Sequence, residues 1–257
     1  MKNILKRIKF ALTMTVLCLF LFGITGQAFA AKSTADDNAR LALLSCAAYD
    51  ELVVSNTTPD TSSYAKDNAE KTKKHMALKE DEFKKLAHDN LAAVVKARDN
   101  GKAIIWNSDF VENVIKIQFP DLYPAVSQQL GNQQQIVDSA VSAAYTAGST
   151  NKTFSYYKYN LAGSAMCGMH SYITWQWDTT KLTSVVPSSW GEVYVPLWQY
   201  TGIVANNEGY TSSTEYHKFV KGQFQNIVGG VVIQTGYISL DIYERAGGDS
   251  SYTGSTT

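Results

Sequence analysis

The chain of 257 residues carries 23 basic and 23 acidic side chains and is 45 % hydrophobic, so it can bury a sizeable core in one domain or two small ones. Its first nine residues, "MKNILKRIK", hold four of the basic groups; once these leave with a signal sequence, 19 basic residues face 23 acidic ones, a net charge of −4. That balance excludes the basic footprint of a nucleic-acid-binding protein.

Residues 1–30 read as a secretory signal: a basic n-region, the apolar h-region "FALTMTVLCLFLFGI", and the A-x-A site Ala28-Phe29-Ala30. The apolar run falls short of the roughly 20 residues that span a bilayer. Cleavage after Ala30 is therefore expected, with secretion of a mature chain that starts at Ala31.

Residues 31–150 follow helical grammar. "STADDNARLALLSCAAYDELVV" opens on a Ser33/Asp36 capping pair and places Leu41, Leu44, Ala48 and Leu52 on one face. After the breaker "SNTTPDTSS", residues 64–98 carry Met76, Phe83, Leu86, Ala87, Leu91, Val94 and Val95 on one stripe among many Lys and Glu, which predicts one long solvated helix ending at "DNGK". Shorter helices are expected over 109–118, 120–130 and 133–147, punctuated by Pro120 and Gly131-Asn132. His75 and His88 fall about 140° apart around a helix and make poor co-ligands.

Residues 151–245 change to strand grammar, with 18 of the 30 aromatic residues between Phe154 and Tyr252, interleaved with Thr, Val and Ile. Strands are expected over 153–160, 170–178, 192–204, 216–226 and 230–244, and residues 246–257, "AGGDSSYTGSTT", read as a flexible tail. The pattern predicts an α+β fold in which an N-terminal helical layer packs on a C-terminal, mainly antiparallel, aromatic-rich sheet. The junction "TAGSTNKT" is too short for a free linker, so both parts are expected in one globular unit.

With Cys18 in the leader, Cys46 and Cys167 are the remaining cysteines, and an even pair in an exported chain predicts a disulfide. It would close a 121-residue loop, for which the chain-entropy model gives about 4–5 kcal/mol. The competing reading of "SAMCGMHSYITWQWD" is a hydrolase site of Cys167, His170 and Asp178. Cys167 and His170 differ by three, which sets them on opposite faces of a continuous strand unless a turn at Gly163 or Gly168 joins them. No H-x-H, H-E-x-x-H, C-x-x-C or EF-hand pattern occurs after the leader, so neither a metal nor a cofactor is expected. Asp178, Glu192, Glu208, Glu215, Asp241 and Glu244 supply carboxylates for glycosidic hydrolysis, a chemistry that depends on a separation the sequence does not contain.

In "WGEVYVPLWQYTGIV", Val193, Val195 and Leu197 form one strand face, and Tyr194, Pro196, Trp198 and Tyr200 the other. Pro196 favours an edge strand, and exposed Tyr and Trp present rigid stacking area with a polar handle. Tyr194, Trp198 and Tyr200 are thus the ligand-binding candidates. The expected function is that of a secreted, non-catalytic protein that binds a cell-surface glycan or protein through an aromatic β-face. Two alternatives stand beside it: a membrane-active toxin that uses the Gly-rich hairpin "NIVGGVVIQTGYISLDIYE" or the helical half, and the Cys/His hydrolase. Membrane contact belongs to the toxin alternative alone.

Overall fold

The computed structural model describes residues 40, 43–57, 61–130, 146–196, 198–228 and 231–257. The expected signal sequence, the expected Ser33/Asp36 cap and residues 133–145 of the last expected helix lie outside them. Among the described residues, nine strands build two sheets in which every pairing is antiparallel. The first sheet contains β1 (Tyr49–Ser55), β2 (Ile104–Trp106), β3 (Gly148–Tyr159), β4 (Ala165–Trp177) and β5 (Leu182–Val193), in the order β2-β1-β3-β4-β5. The second contains β6 (Trp198–Ser212), β7 (Glu215–Val228), β8 (Val231–Arg245) and β9 (Ser250–Thr256), in chain order. The class is α+β.

Several elements differ from the sequence expectations for physical reasons. Residues 49–55, expected to end the first helix, form β1, because the segment pairs along its whole length with β3 and, over Tyr49–Glu51, with β2 on its other side. Tertiary pairing here overrides a helical period. The long helix is two: α1 (Thr61–Met76) and α2 (Glu80–Asp99). The break is fixed by Lys79 N–H donating to Glu82 Oε2 at 3.0 Å and by Arg40 donating to the carbonyls of Met76 and Leu78. Glu80, Asp81 and Glu82 then favour the N-terminus of α2 through its dipole. Residues 108–118 are helical with a π-turn over Val111–Ile115, and α3 follows at Tyr123–Leu130. The expected strand over 192–204 is the place where the chain leaves the first sheet after Val193 and enters the second at Trp198. The expected tail is β9, which pairs with Ile238–Glu244 of β8 and sets Tyr252 against Phe154.

Two apolar cores explain the layering. One lies between the helices and the first sheet, where Phe83, Ala87, Leu91 and Val94 of α2 meet Tyr49, Trp106, Phe110, Val114 and Leu161. The other lies between the sheets, where Phe154, Tyr156, Met169, Ile173 and Trp175 meet Val220, Phe224, Ile238, Leu240 and Ile242. Each fully buried side chain of this size contributes about 1.5–3 kcal/mol.

Cys46 packs against the first core and Cys167 sits in the second. The expected disulfide is therefore absent: Cys46 and Cys167 are not joined. The two cysteines belong to cores on opposite sides of the first sheet.

Candidate functional site

A cleft of about 680 Å³ opens where the β1–β2 edge of the first sheet meets the β8–β9 edge of the second, with residues 105–114 forming a third wall. The volume lies within the usual range for small-molecule sites. The period-two alternation of β1 and β3 turns Asp50, Tyr156 and Lys158 toward the second sheet, and Asp50 lies opposite Lys158 in the ladder. Tyr156 Oη donates to Asp50 Oδ2 at 2.8 Å, and Thr256 of β9 donates weakly to the same oxygen at 3.4 Å. Asp50 Oδ1 lies 3.5 Å from Lys158 Nζ and accepts no hydrogen bond among the described residues.

Burial raises the Asp50 carboxyl above the ordinary carboxylate range, against the opposing pull of the Lys158 ammonium and the Tyr156 hydroxyl. Gly254 permits the arrangement, since a Cβ there would collide with the Tyr156 ring. Trp198 reaches the same cleft from β6, and its Nε1–H also has no hydrogen-bond partner among the described residues. Both atoms are shielded from solvent, so the wall presents the Trp198 indole and the polar side chains around the buried Asp50–Lys158 pair. Asn107, whose Oδ1 caps Phe110 N at 3.0 Å, begins the helical wall and its π-turn, a distortion often found at functional sites.

The three aromatic candidates do not share one surface. Trp198 lines the cleft, and Tyr200 is half-buried over Gly191 and beside Phe224 at 5.2 Å. Tyr194 is buried beneath α1. The Cys167, His170 and Asp178 constellation is not assembled either. Cys167 faces the inter-sheet core, and burial pushes its thiol up to about 12, opposite to what a nucleophile needs. His170 faces the helices, and Asp178 caps an exposed turn by accepting from Thr180 and Lys181 N–H. The odd offset between Cys167 and His170 does set them on opposite faces of β4.

His170 belongs instead to a buried chain of hydrogen bonds. Tyr194 Oη donates to Glu192 Oε2 at 2.8 Å and Trp190 Nε1 donates to Glu192 Oε1 at 3.0 Å. With its proton committed, Tyr194 accepts from His170 Nε2 at 3.0 Å, which leaves Nδ1 to accept from Ser155 Oγ at 2.9 Å. Trp190 stacks on the imidazole at 5.3 Å and Tyr157 meets it edge-on at 5.2 Å. Desolvation lowers the His170 pKa to about 4, although Glu192 pulls it upward. The other carboxylates considered for glycosidic chemistry are engaged elsewhere: Glu208 with Lys218, Glu215 with Arg245 and Asp241 with His217. Glu244 is buried in the sandwich.

Sequence reasoning missed Asp50, Tyr156, Lys158 and Thr256, which span 206 positions. The available signal was an acid and a lysine in segments dominated by apolar and aromatic residues. No group of three or more potential metal ligands occurs among the described residues. Comparison of the chain with protein-family models, curated proteins and solved structures finds no match.

Proposed function

We propose that this is an exported, non-catalytic protein that binds a glycan unit of a surface or matrix in the cleft between its two sheets. The observation that carries this reading is the wall of the cleft: a buried Asp50–Lys158 pair braced by Tyr156 and Thr256, with Trp198 beside it. Sugar hydroxyls both donate and accept, which suits the exposed polar lining of the cleft at Ser108, Asp109 and Gln234. An indole also offers a face for the apolar side of a pyranose ring. Of the aromatic positions expected to bind, Trp198 keeps that role, while Tyr194 and Tyr200 support the scaffold.

The test is a calorimetric titration of the secreted chain with oligomers of glucose and of N-acetylglucosamine, repeated with Asp50→Asn and Trp198→Phe. Binding weakened at least tenfold by either substitution is expected. No heat with either series, or heat unchanged by both substitutions, refutes the reading.

A second reading, membrane activity, is favoured by one observation. Val231 and Val232 are exposed, at 49 % and 46 %, at the Val228↔Val231 end of the long β7–β8 pair. Leakage of dye from vesicles of zwitterionic or anionic lipid on adding the chain would support it, and intact vesicles would rule it out.

A further inference from the structure

The two helices that follow β1 are held by different forces. On α2, Phe83, Ala87, Leu91 and Val94 are buried in an apolar core. On α1, from Ser63 onward, the buried residues are Asn68, Thr72 and His75. Apart from Met76 at its C-terminal end, which packs against the apolar core, its attachment runs through polar groups and the Tyr64 ring along one stripe. Asn68 exchanges two hydrogen bonds with the Ala165 backbone at 2.5 and 2.9 Å, Lys71 Nζ donates to Gly163 O at 2.6 Å, and His75 Nδ1 lies 3.2 Å from Ser164 Oγ. Tyr64 completes the stripe, its hydroxyl 3.1 Å from that of Tyr159 and its ring edge-on to Tyr194 at 5.1 Å.

Water can replace such hydrogen bonds when a helix leaves, whereas buried apolar area has no replacement in water. The receiving loop does not depend on α1 for its shape. Asn90 of α2 donates to Leu161 O, and Asn160 donates to Leu44 O and accepts from the N–H groups of Ala162 and Ser164.

We propose that α1 is a releasable cover on the first sheet, unlatched by acid, whose departure exposes the aromatic basin of Tyr157, Trp190 and Tyr194. The device lies on the opposite face of β3 from the cleft and does not rest on the glycan reading. Its hinge is the break at residues 77–79, beyond which α2 stays anchored.

The groups at the seam favour release when protonated. Facing His75 are Lys71 on α1 and the Ser164 hydroxyl from the loop. Burial and the Lys71 charge hold the imidazole below its ordinary pKa, so its protonation places two cations side by side. Beneath the cover, His170 faces Ser155 and Tyr157 of β3, Trp190 and Glu192 of β5, and Tyr194. Tyr64 of α1 lies over Tyr157 and Tyr194, and Glu51 of β1 contributes the remaining nearby charge. Protonation reverses the bond to Ser155, whose hydroxyl then accepts from Nδ1–H, but it strands a charge in the buried pocket beside Tyr194. Water reaches it once α1 lifts. Glu192 opposes this by attracting the cation, while burial keeps the protonation in the acidic range.

Hydrogen exchange of the whole secreted chain, corrected for the intrinsic pH dependence of exchange, reads the device directly. Between pH 7 and pH 4, protection across residues 63–76 is expected to fall at least tenfold while α2 keeps its own. The variant carrying His75→Gln and His170→Gln is expected to keep α1 protected at pH 4. Unchanged α1 protection in the wild type overturns the proposal, as does joint loss in α1 and α2, which is global unfolding. Equal loss in wild type and double variant overturns the trigger. The wild-type comparison decides the release itself if the variant does not fold.

Discussion

Replacing His170 by Gln tests the buried network quantitatively. The imidazole is fully buried and its folded-state pKa is about 4, against an ordinary 6.5. Because burial depresses this pKa, the unfolded chain binds the proton more tightly than the folded one. Unfolding free energy therefore rises with pH between about 4 and 6.5. The contribution is complete above that window and lost below it. At 1.36 kcal/mol per pKa unit the difference amounts to about 3 kcal/mol, with a slope that peaks at about 1.2 kcal/mol per pH unit. A glutamine cannot titrate but retains a donor and an acceptor for Tyr194 and Ser155, at a pH-independent cost of about 1–3 kcal/mol. Urea unfolding of wild type and His170→Gln at pH 7, 5.5 and 4 should then converge. The wild type starts more stable and loses about 3 kcal/mol more on acidification. Carboxylates that titrate in the same range do so in both proteins and cancel in the difference. Parallel curves from pH 7 to 4 would show that His170 pays no protonation penalty in the fold and would refute the reasoning.

Three further outcomes follow from other parts of the molecule. Glu244 is buried with neither oxygen hydrogen-bonded among the described residues, and desolvation raises its pKa well above 4.5 despite Lys152 and Arg245; its contribution is full below 4.5 and declines as pH rises toward the folded value. Glu244→Gln should therefore gain stability relative to wild type at pH 8 compared with pH 5, as measured by thermal unfolding. Gly254→Ala drives a methyl into the Tyr156 ring, so a loss of about 1–3 kcal/mol in denaturant titration is expected, together with weakened ligand binding as Tyr156 shifts from Asp50. Cys167 has no exposed surface and a thiol pushed up to about 12, so iodoacetamide at pH 8 should leave it unmodified in the native chain. Mass mapping without reductant should find no peptide joining it to Cys46.

The strand half was legible because a sheet buried on one face writes its period into the chain. A strand was expected over 170–178, and in it Ile173, Trp175 and Trp177 face the inter-sheet core at a spacing of two. The stripe of Phe83, Leu91 and Val94 likewise marked the buried side of α2. Failures came where a local period competed with a partner elsewhere. Residues 49–55 look helical until β2 and β3 supply ladder bonds on both sides, and the closing residues look loose until β8 offers an edge. The strand "LTSVVPSSWGEV" was not expected before residue 192, and it carries Pro187 and several serines. As an edge strand, β5 tolerates them.

Cys46 and Cys167 show why an even cysteine count does not fix a pairing: parity says nothing of which face of a sheet each thiol occupies. The cleft was illegible for a related reason. Asp50 and Lys158 carry opposite charge, yet they meet through a strand register set by every other pair of the β1–β3 ladder, from Tyr49↔Tyr159 to Ser55↔Thr153. A shift of that register by one residue would turn Asp50 toward the helices and break its bonds to Tyr156 and Thr256. The polar site is thus specified by the apolar pairing around it, with Leu52 and Phe154 holding the same face in the core. α1 reverses that logic. Its mixed charge lies on a solvated face, but its inner side specifies the docking through Tyr64, Asn68, Lys71 and His75. Specificity in α1 therefore comes from hydrogen-bond geometry and in α2 from apolar burial. That difference makes α1 the element that acid can release without dissolving the fold.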